Sequence, residues 1–160
     1  MDVPVTPASS LAGQAAAVDN ASLFSRIETS LLRQGMMQHL GTRLLRVEPG
    51  LCEVAMPYSD KVTQQQGGFH GGAMGALADI AAGYAGLTVV PEGQEITSVE
   101  YKINFLAAFQ GGELRATGRV LKGGKRIIVC SAEVVHVAAD GKRTVCALMQ
   151  QTLVPVAKTY

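Results

Sequence analysis

The feature that most constrains this chain is a helical pattern that is rich in glycine and contains one carboxylate. Residues 64–86 read QQQGGFHGGAMGALADIAAGYAG, and apolar side chains recur at helical spacing after the histidine. Glycine inside a helix costs roughly 1 kcal/mol relative to alanine, and burying an unpaired carboxylate is costly. Asp79 is the only side chain after His70 in this segment that is charged at neutral pH. The pattern predicts a central helix from about Gly71 to Thr88 and requires a reason for the aspartate.

The surroundings of Asp79 on the predicted helix consist of small residues. An apolar stripe would face a sheet and contains Met74, Leu77, Ile80, Ala81, Tyr84 and Leu87. The positions three, four and seven residues from Asp79 are Gly72, Gly75, Ala76, Ala82, Gly83 and Gly86. Such small residues allow close backbone packing, with Asp79 satisfied by backbone donors, or they leave a slot beside the carboxylate. We favour the slot, because packing alone does not require a desolvated aspartate.

The start of the predicted helix offers a second group of functional atoms. Gly71 and Gly72 present backbone N–H groups that lack partners within the helix, at the positive end of its dipole. Such donors can stabilise an oxyanion. His70 and Asp79 cannot form a dyad on one helix, since nine residues separate them by about 13.5 Å and about 180°. His70 therefore either caps the helix or acts with Asp79 of a second subunit, and we favour the cap.

The flanking segments predict strands and one further helix. Residues 20–40 have helical spacing, with Asn20 or Ser22 as the N-cap, and a turn at Pro49-Gly50 separates two short strands. After Pro91 the period changes to two, which places Val99, Tyr101, Ile103 and Phe105 on one face and Ser98, Glu100, Lys102 and Asn104 on the other. Turn sequences at 111–112, 122–125 and 139–142 separate three further strands.

This order of elements predicts an α+β fold in one domain. Successive hairpins would make the last four strands antiparallel neighbours, and the central helix needs a large apolar surface. We expect an antiparallel sheet that curls around that helix, in a single domain over residues 21–160. Residues 1–20 are expected to form a flexible tail.

Composition and missing motifs argue against several classes of function. The net charge of +1 does not favour nucleic acid, and no apolar run is long enough to span a membrane. The N-terminus lacks the features of a signal peptide, and three scattered cysteines suggest reduced, buried thiols in the cytoplasm. The histidines, at 39, 70 and 136, are too dispersed for a recognisable metal site, and no nucleotide-binding or G-x-S-x-G motif occurs. We therefore expect no metal and no cofactor.

The central segment also resembles a known family. The pattern H-G-G-x(5)-[L/A]-D, present as His70-Gly71-Gly72 and Ala78-Asp79, resembles that of the hotdog-fold acyl-CoA thioesterases. The branches most similar in appearance are the phenylacetate-pathway (PaaI-type) enzymes and the 4-hydroxybenzoyl-CoA thioesterases. The resemblance covers about residues 35–156 and includes the strand segment TSVEYKINFL. It implies a hotdog fold, in which a curved sheet wraps a long helix.

The resemblance implies a role for each matching residue. Asp79 would be the catalytic carboxylate, as nucleophile or general base, and the N–H of Gly71 would polarise the thioester carbonyl. Gln64, at a position more often held by asparagine in the PaaI-type branch, would orient the thioester or the water. The adjacent glutamines at 65 and 66 leave open which amide does so. Ser98 would help to position water.

The resemblance also implies an assembly and a substrate. Members of this family form homodimers, and commonly tetramers, with the carboxylate and the helix N-terminus of one site contributed by different subunits. The substrate would be an acyl-CoA or aroyl-CoA, with coenzyme A as part of the substrate. Independently of the family, Lys122, Lys125 and Arg126 cluster in the turn sequence KGGKR. This turn is either simply solvated or binds the phosphates of coenzyme A.

Two other functions are alternatives to thioester hydrolysis. A hotdog dehydratase needs a histidine base followed about five residues later by an aspartate, and this pattern is missing. A non-catalytic protein that binds or senses acyl-CoA remains open, since Asp79 could serve as a ligand contact.

Overall fold

The central helix of the computed structural model lies against an antiparallel sheet of six strands, as predicted. The structure describes residues 19–160, so the predicted tail lies outside the described residues except for Asp19 and Asn20. The helices are α1 (Asn20–Leu32), α2 (Gly35–His39) and α3 (Gly71–Leu87), with one short 3₁₀ turn at Asp60–Val62. The strands are β1 (Arg43–Glu48), β2 (Leu51–Pro57), β3 (Gln94–Phe105), β4 (Glu113–Lys122), β5 (Ile128–Val137) and β6 (Arg143–Ala157).

The strand order is β1-β2-β4-β5-β6-β3, which corrects one prediction. The hairpins β1–β2, β4–β5 and β5–β6 form as expected, and Gly50 turns the first of them with a φ of 76°. The prediction that the last four strands are successive neighbours is wrong, because β3 pairs with β6 and not with β4. β3 therefore forms an edge of the sheet.

The connection between β3 and β4 crosses two strands of the sheet in this order. Residues 106–112 carry the chain past β6 and β5 at the end of the sheet where α3 begins. The ring of Phe109 stacks on that of His136 in β5, with centroids 4.3 Å apart. The N–H of Phe69 donates to the Phe109 carbonyl at 3.0 Å. These contacts hold the connection against β5 and against the segment before α3. A tight hairpin between β3 and β4 would be too short to reach both.

The N-terminal helix differs from its prediction in two respects. The helical pattern over residues 20–40 divides into α1 and α2, because Gln34 has an extended backbone with φ −89° and ψ 103°. There the Gln34 amide donates to the hydroxyl of Tyr84 on α3 at 2.8 Å. The N-cap is Asp19, which accepts from the N–H of Ala21 at 3.0 Å, rather than Asn20 or Ser22.

Helix α3 packs closely on the sheet and contacts five of the six strands. A Cβ atom added to Gly118 on β4 would lie 2.1 Å from the Ala81 carbonyl oxygen, so only glycine fits there. A Cβ atom on Gly86 would lie 2.5 Å from a methyl group of Leu153. Gly86 therefore serves packing on the sheet, which corrects its predicted place beside Asp79. Ile80 is half-buried rather than part of the core.

No helix within residues 19–160 has the length and apolar character needed to cross a membrane.

Candidate active site

A cavity of about 340 Å³ lies beside Asp79. Residues of α3 and β3 form two of its walls, and residues of α1 and the C-terminal segment also line it. Gly83 and Ile80 line it next to Asp79, and Tyr84 with Gln34 lines it farther along. Its volume is near the lower end of the range of about 300–1,000 Å³ that is typical of ligand sites. The predicted slot beside the carboxylate therefore exists.

Side chains, and not backbone groups, hold the carboxylate of Asp79. The hydroxyl of Ser98 on β3 donates to Asp79 Oδ1 at 2.8 Å. The amide Nε2 of Gln151 on β6 donates to the same oxygen. Asp79 forms no ion pair within residues 19–160. The structure thus differs from the packing interpretation, which required backbone donors.

A β-bulge in β3 brings Ser98 to this position. The pairing of β3 with β6 shifts between Ser98 and Glu100, so Val99 is the extra residue. Ser98 therefore faces α3, and so does Tyr101, whose hydroxyl lies near Gly75. The prediction of strict alternation, which put Ser98 and Tyr101 on opposite faces, is wrong for this reason.

Gln151 is a site residue that the sequence reasoning missed. Its side chain is completely buried on β6, where it faces α3. The core-facing positions before and after it on this strand are Met149 and Leu153. A single amide within such an apolar alternation was the available signal, since a buried polar group needs a specific partner.

The start of α3 forms the second half of the candidate site. His70 is the N-cap, as favoured, and its Nδ1 accepts from the N–H of Gly72 at 2.8 Å. This bond occupies Gly72, which corrects the expectation that both glycines offer free donors. The N–H of Gly71 has no hydrogen-bond partner within residues 19–160. Gly71 thus provides an open donor at this helix end.

The loop before α3 orders Gln64 rather than its two neighbours. The Oε1 of Gln64 accepts from the N–H of Gln66 at 2.5 Å, and its backbone N–H donates to the Gly68 carbonyl at 2.9 Å. Gln64 is half-buried, whereas Gln65 and Gln66 are exposed. Of the three amides, that of Gln64 has the defined position that an orienting group needs.

Within one chain the two halves stay apart. Eight residues of helix separate Gly71 from Asp79 by about 12 Å, too far for both to contact one carbonyl group. The candidate half-sites are therefore Asp79 with Ser98 and Gln151, and Gly71 with its neighbour His70, preceded in the chain by the loop that carries Gln64.

The basic cluster does not lie beside the reacting groups of either half-site. Lys122, Lys125 and Arg126 are exposed in the turn between β4 and β5. Ile128, which follows this turn, lies next to Gly86 near the end of α3. The turn is therefore at the opposite end of the helix from Gly71.

The cysteines do not supply a reactive thiol. All three are buried, and burial raises the pKa of Cys52 to about 12 and the pKa values of Cys130 and Cys146 to about 11. Thiols with such pKa values stay protonated at neutral pH. Within the described residues, no group of three or more His, Cys, Asp or Glu side chains is placed to hold a metal ion.

Comparison with known proteins identifies the family. Residues 66–139 match the sequence model of the thioesterase superfamily. The proofreading thioesterase EntH of Klebsiella pneumoniae is 34% identical over 108 residues, which cover 68% of this chain and 77% of that protein. The 1,4-dihydroxy-2-naphthoyl-CoA hydrolase of Listeria monocytogenes is 30% identical over 91 residues, covering 57% of this chain and 74% of that one.

A solved structure supports the same assignment. The crystal structure of a thioesterase family protein from Silicibacter pomeroyi superimposes with a TM-score of 0.81 and 32% sequence identity. It covers 85% of this chain and 99% of its own. Because the sequence relatives, the shared fold and the matched segment around α3 agree, this chain belongs to the hotdog-fold thioesterase superfamily.

Proposed function

We propose that this thioesterase hydrolyses an acyl-CoA or aroyl-CoA to the free acid and coenzyme A, with Asp79 as its catalytic carboxylate. The observation that carries this proposal is the carboxylate itself. It lies at the wall of a cavity, is held by two neutral side-chain donors and has no counter-charge in an ion pair among the described residues. A carboxylate in this setting remains available to attack a carbonyl or to activate water.

Asp79 can act by two routes, and in both a negative charge develops on the thioester carbonyl oxygen. As nucleophile, a carboxylate oxygen bonds to the thioester carbon, the carbon–sulfur bond breaks, and coenzyme A leaves as a thiolate that takes a proton from solvent. Water then hydrolyses the resulting acid anhydride, which releases the acid and restores Asp79. As general base, Asp79 removes a proton from the water whose oxygen bonds to the thioester carbon; the carbon–sulfur bond then breaks, and the departing thiolate takes the proton from Asp79, which restores the carboxylate.

The N–H of Gly71 would stabilise the oxyanion in both routes. It is a free donor at the N-terminus of α3, where the helix dipole favours negative charge. The ordered amide of Gln64 lies in the loop that precedes this donor and would orient the thioester or the water. His70 would support the same end of the helix as its cap, through Gly72.

A homodimer would join the two half-sites. β3 is a 12-residue edge strand that pairs on one side only, and most of its side chains are exposed, including Val99 and Phe105. Such an edge favours pairing with another strand. Antiparallel pairing of two β3 edges would reverse one α3 relative to the other. The N-terminus of one helix could then approach Asp79 of its partner. Association of two such dimers into a tetramer remains a prediction.

The cavity favours a compact acyl group. Its volume of about 340 Å³ suits an aromatic ring or a short chain better than a long fatty chain. Lys122, Lys125 and Arg126 would bind the phosphates of coenzyme A. Because their turn lies at the α3 end opposite Gly71, they would come from the subunit other than the one that supplies Gly71. We expect the reaction to take place in the cytoplasm, where the three buried cysteines would stay reduced.

A panel of thioesters tests this function. We expect wild-type protein to release free thiol from benzoyl-CoA and hexanoyl-CoA with a higher kcat/KM than from palmitoyl-CoA. Asp79→Asn should lower kcat by at least about 10²-fold, because the amide is neither nucleophile nor base. Equal activity of Asp79→Asn and wild type would refute the role of Asp79. Tight binding of the panel without thiol release would instead favour the acyl-CoA sensor.

A further inference from the structure

Gln151 is a buried amide at a position where packing alone would favour an apolar side chain. It lies in β6 between Tyr101 of β3 and Cys130 of β5, and its side chain has no exposed surface. Its core-facing neighbours on the strand, Met149 and Leu153, are apolar. Burying an amide costs stability unless its hydrogen bonds are made. The presence of glutamine here therefore calls for a specific partner.

The partners of Gln151 all belong to the Asp79 half-site. Its Nε2 donates to Asp79 Oδ1 and also to Ser98 Oγ, the latter at 2.6 Å. The Ser98 hydroxyl donates in turn to the same Oδ1 at 2.8 Å. These three side chains come from three elements, α3, β3 and β6. Their contacts form a closed triangle around one carboxylate oxygen.

The other end of the amide makes no such contact. The Oε1 of Gln151 is buried and has no hydrogen-bond partner among the described residues. An unpaired buried acceptor destabilises the folded protein, so an amide here carries a cost that an apolar side chain of similar size would not. The amide keeps its N–H groups on Asp79 and Ser98 at that cost.

The triangle distinguishes the two oxygens of Asp79. Both side-chain donors end on Oδ1, and no hydrogen bond to Oδ2 occurs within residues 19–160. A carboxylate rotates easily about its terminal bond unless contacts fix it. With Oδ1 held from two strands, Oδ2 is the oxygen left free for chemistry.

We propose that Gln151 is a positioning residue, which with Ser98 holds Asp79 by Oδ1 so that Oδ2 is presented to the thioester or to water. This inference rests on the proposed catalytic role of Asp79. Gln151 contributes no charge, so it orients the carboxylate without pairing with it as a cation would. The chain therefore fixes its catalytic oxygen from within one subunit, before the partner's half-site is added.

The test replaces Gln151 by methionine, which has a similar length and no amide. We expect Gln151→Met to lower kcat by roughly 10- to 100-fold, the range that a small misplacement of a catalytic group costs. The KM should stay within about threefold, because the variant changes orientation rather than substrate contacts. The melting temperature should stay level or rise, because the unpaired Oε1 is removed as well. The matched control is Gln150→Met, since Gln150 is the neighbouring glutamine on the exposed face.

A double-mutant cycle shows whether Gln151 acts through Asp79. All four proteins are measured on the CoA thioester of the panel that wild type hydrolyses fastest. If Gln151 acts only through Asp79, Gln151→Met should cause no further loss of kcat in an Asp79→Asn background. An additional loss of tenfold or more there would overturn the proposal.

Other outcomes separate this proposal from the proposed function. Full activity of Gln151→Met, with Asp79→Asn inactive, would overturn the positioning role and leave the catalytic role of Asp79 intact. A loss of kcat accompanied by a matching fall in melting temperature would show that Gln151 is structural and would also overturn it. Full activity of Asp79→Asn would refute the catalytic role of Asp79 and the role of Gln151 together.

Discussion

At the scale of single residues, Gly71 offers an unusually clean substitution. It is the first residue of α3, where proline is tolerated because its missing N–H has no partner in the helix. His70 already has the extended backbone that precedes proline, with φ −68° and ψ 133°. Gly71→Pro therefore removes the proposed oxyanion donor and leaves the helix in place.

We predict that Gly71→Pro lowers kcat by about 10²–10³-fold, the usual cost of losing one such donor. The control is Gly71→Ala, which retains the N–H and places its Cβ 3.4 Å from the ring of Phe105, an ordinary contact. Steady-state kinetics and circular dichroism of both variants check this. Wild-type kcat in a folded Gly71→Pro protein would contradict the assignment of Gly71.

The residues of the site were predictable from the sequence to different degrees. Asp79 and Gly71 could be proposed because a lone carboxylate and a glycine pair at a helix start together suggest a site, and their catalytic roles stay predictions. For Gln151 the sequence offers only an amide among apolar core positions, since its role depends on β6 lying beside β3, and that pairing joins segments about 50 residues apart. The occupied N–H of Gly72 likewise depended on the rotamer of His70.

At the scale of elements, helix and sheet approach each other closely at Gly118. A methyl group there would lie 2.1 Å from a backbone carbonyl oxygen of α3, which cannot move without displacing the helix. We predict that Gly118→Ala destabilises the protein by about 3 kcal/mol or more, at the upper end of the usual cost of overpacking. Urea unfolding measures this change.

The control for this prediction is Gly123→Ala, in the turn between β4 and β5. Gly123 has open space around its Cβ position and no positive φ, so this variant should unfold at nearly the wild-type urea midpoint. Equal midpoints for Gly118→Ala and wild type would mean that α3 is not seated on β4 as described.

Local patterns identified the elements better than their arrangement. The hairpins at Gly50 and at residues 122–125 and 139–142 were correct because their turn residues lie within a few positions of the strands they join. The place of β3 was not, because it depends on pairing with β6, which joins segments about 50 residues apart. The bulge at Val99 was not predicted either, because a strict alternation of side chains between the two faces of a strand does not allow for an extra residue.

At the scale of the whole molecule, the buried cysteines link stability to pH. Their ordinary pKa of 9.0 describes the unfolded chain, whereas burial raises the folded-state pKa of each to about 11 or 12. The unfolded state therefore binds fewer protons than the folded state above pH 9, and the stability falls as pH rises from 9 towards 11. Below pH 9 the thiols have no such effect.

We predict that the free energy of unfolding of wild type falls more between pH 8 and pH 10 than that of Cys130→Ala. The difference should be about 1 kcal/mol, as expected from one pH unit above the ordinary thiol pKa. Urea titrations of both proteins at the two pH values measure it. An identical loss of stability in the two proteins would contradict the protonated, buried state of Cys130.

The central claim concerns the assembly: Asp79 of one subunit acts together with the Gly71 donor of another. Asp79→Asn and Gly71→Pro proteins, each with a different affinity tag, are produced together, and assemblies that carry both tags are purified. A site that spans two subunits then has one intact copy per mixed dimer, built from Asp79 of one variant and Gly71 of the other. We predict that the two variants are nearly inactive alone and that the mixed assemblies recover about a quarter to a half of wild-type activity. Mixed assemblies as inactive as their parents would contradict the shared site.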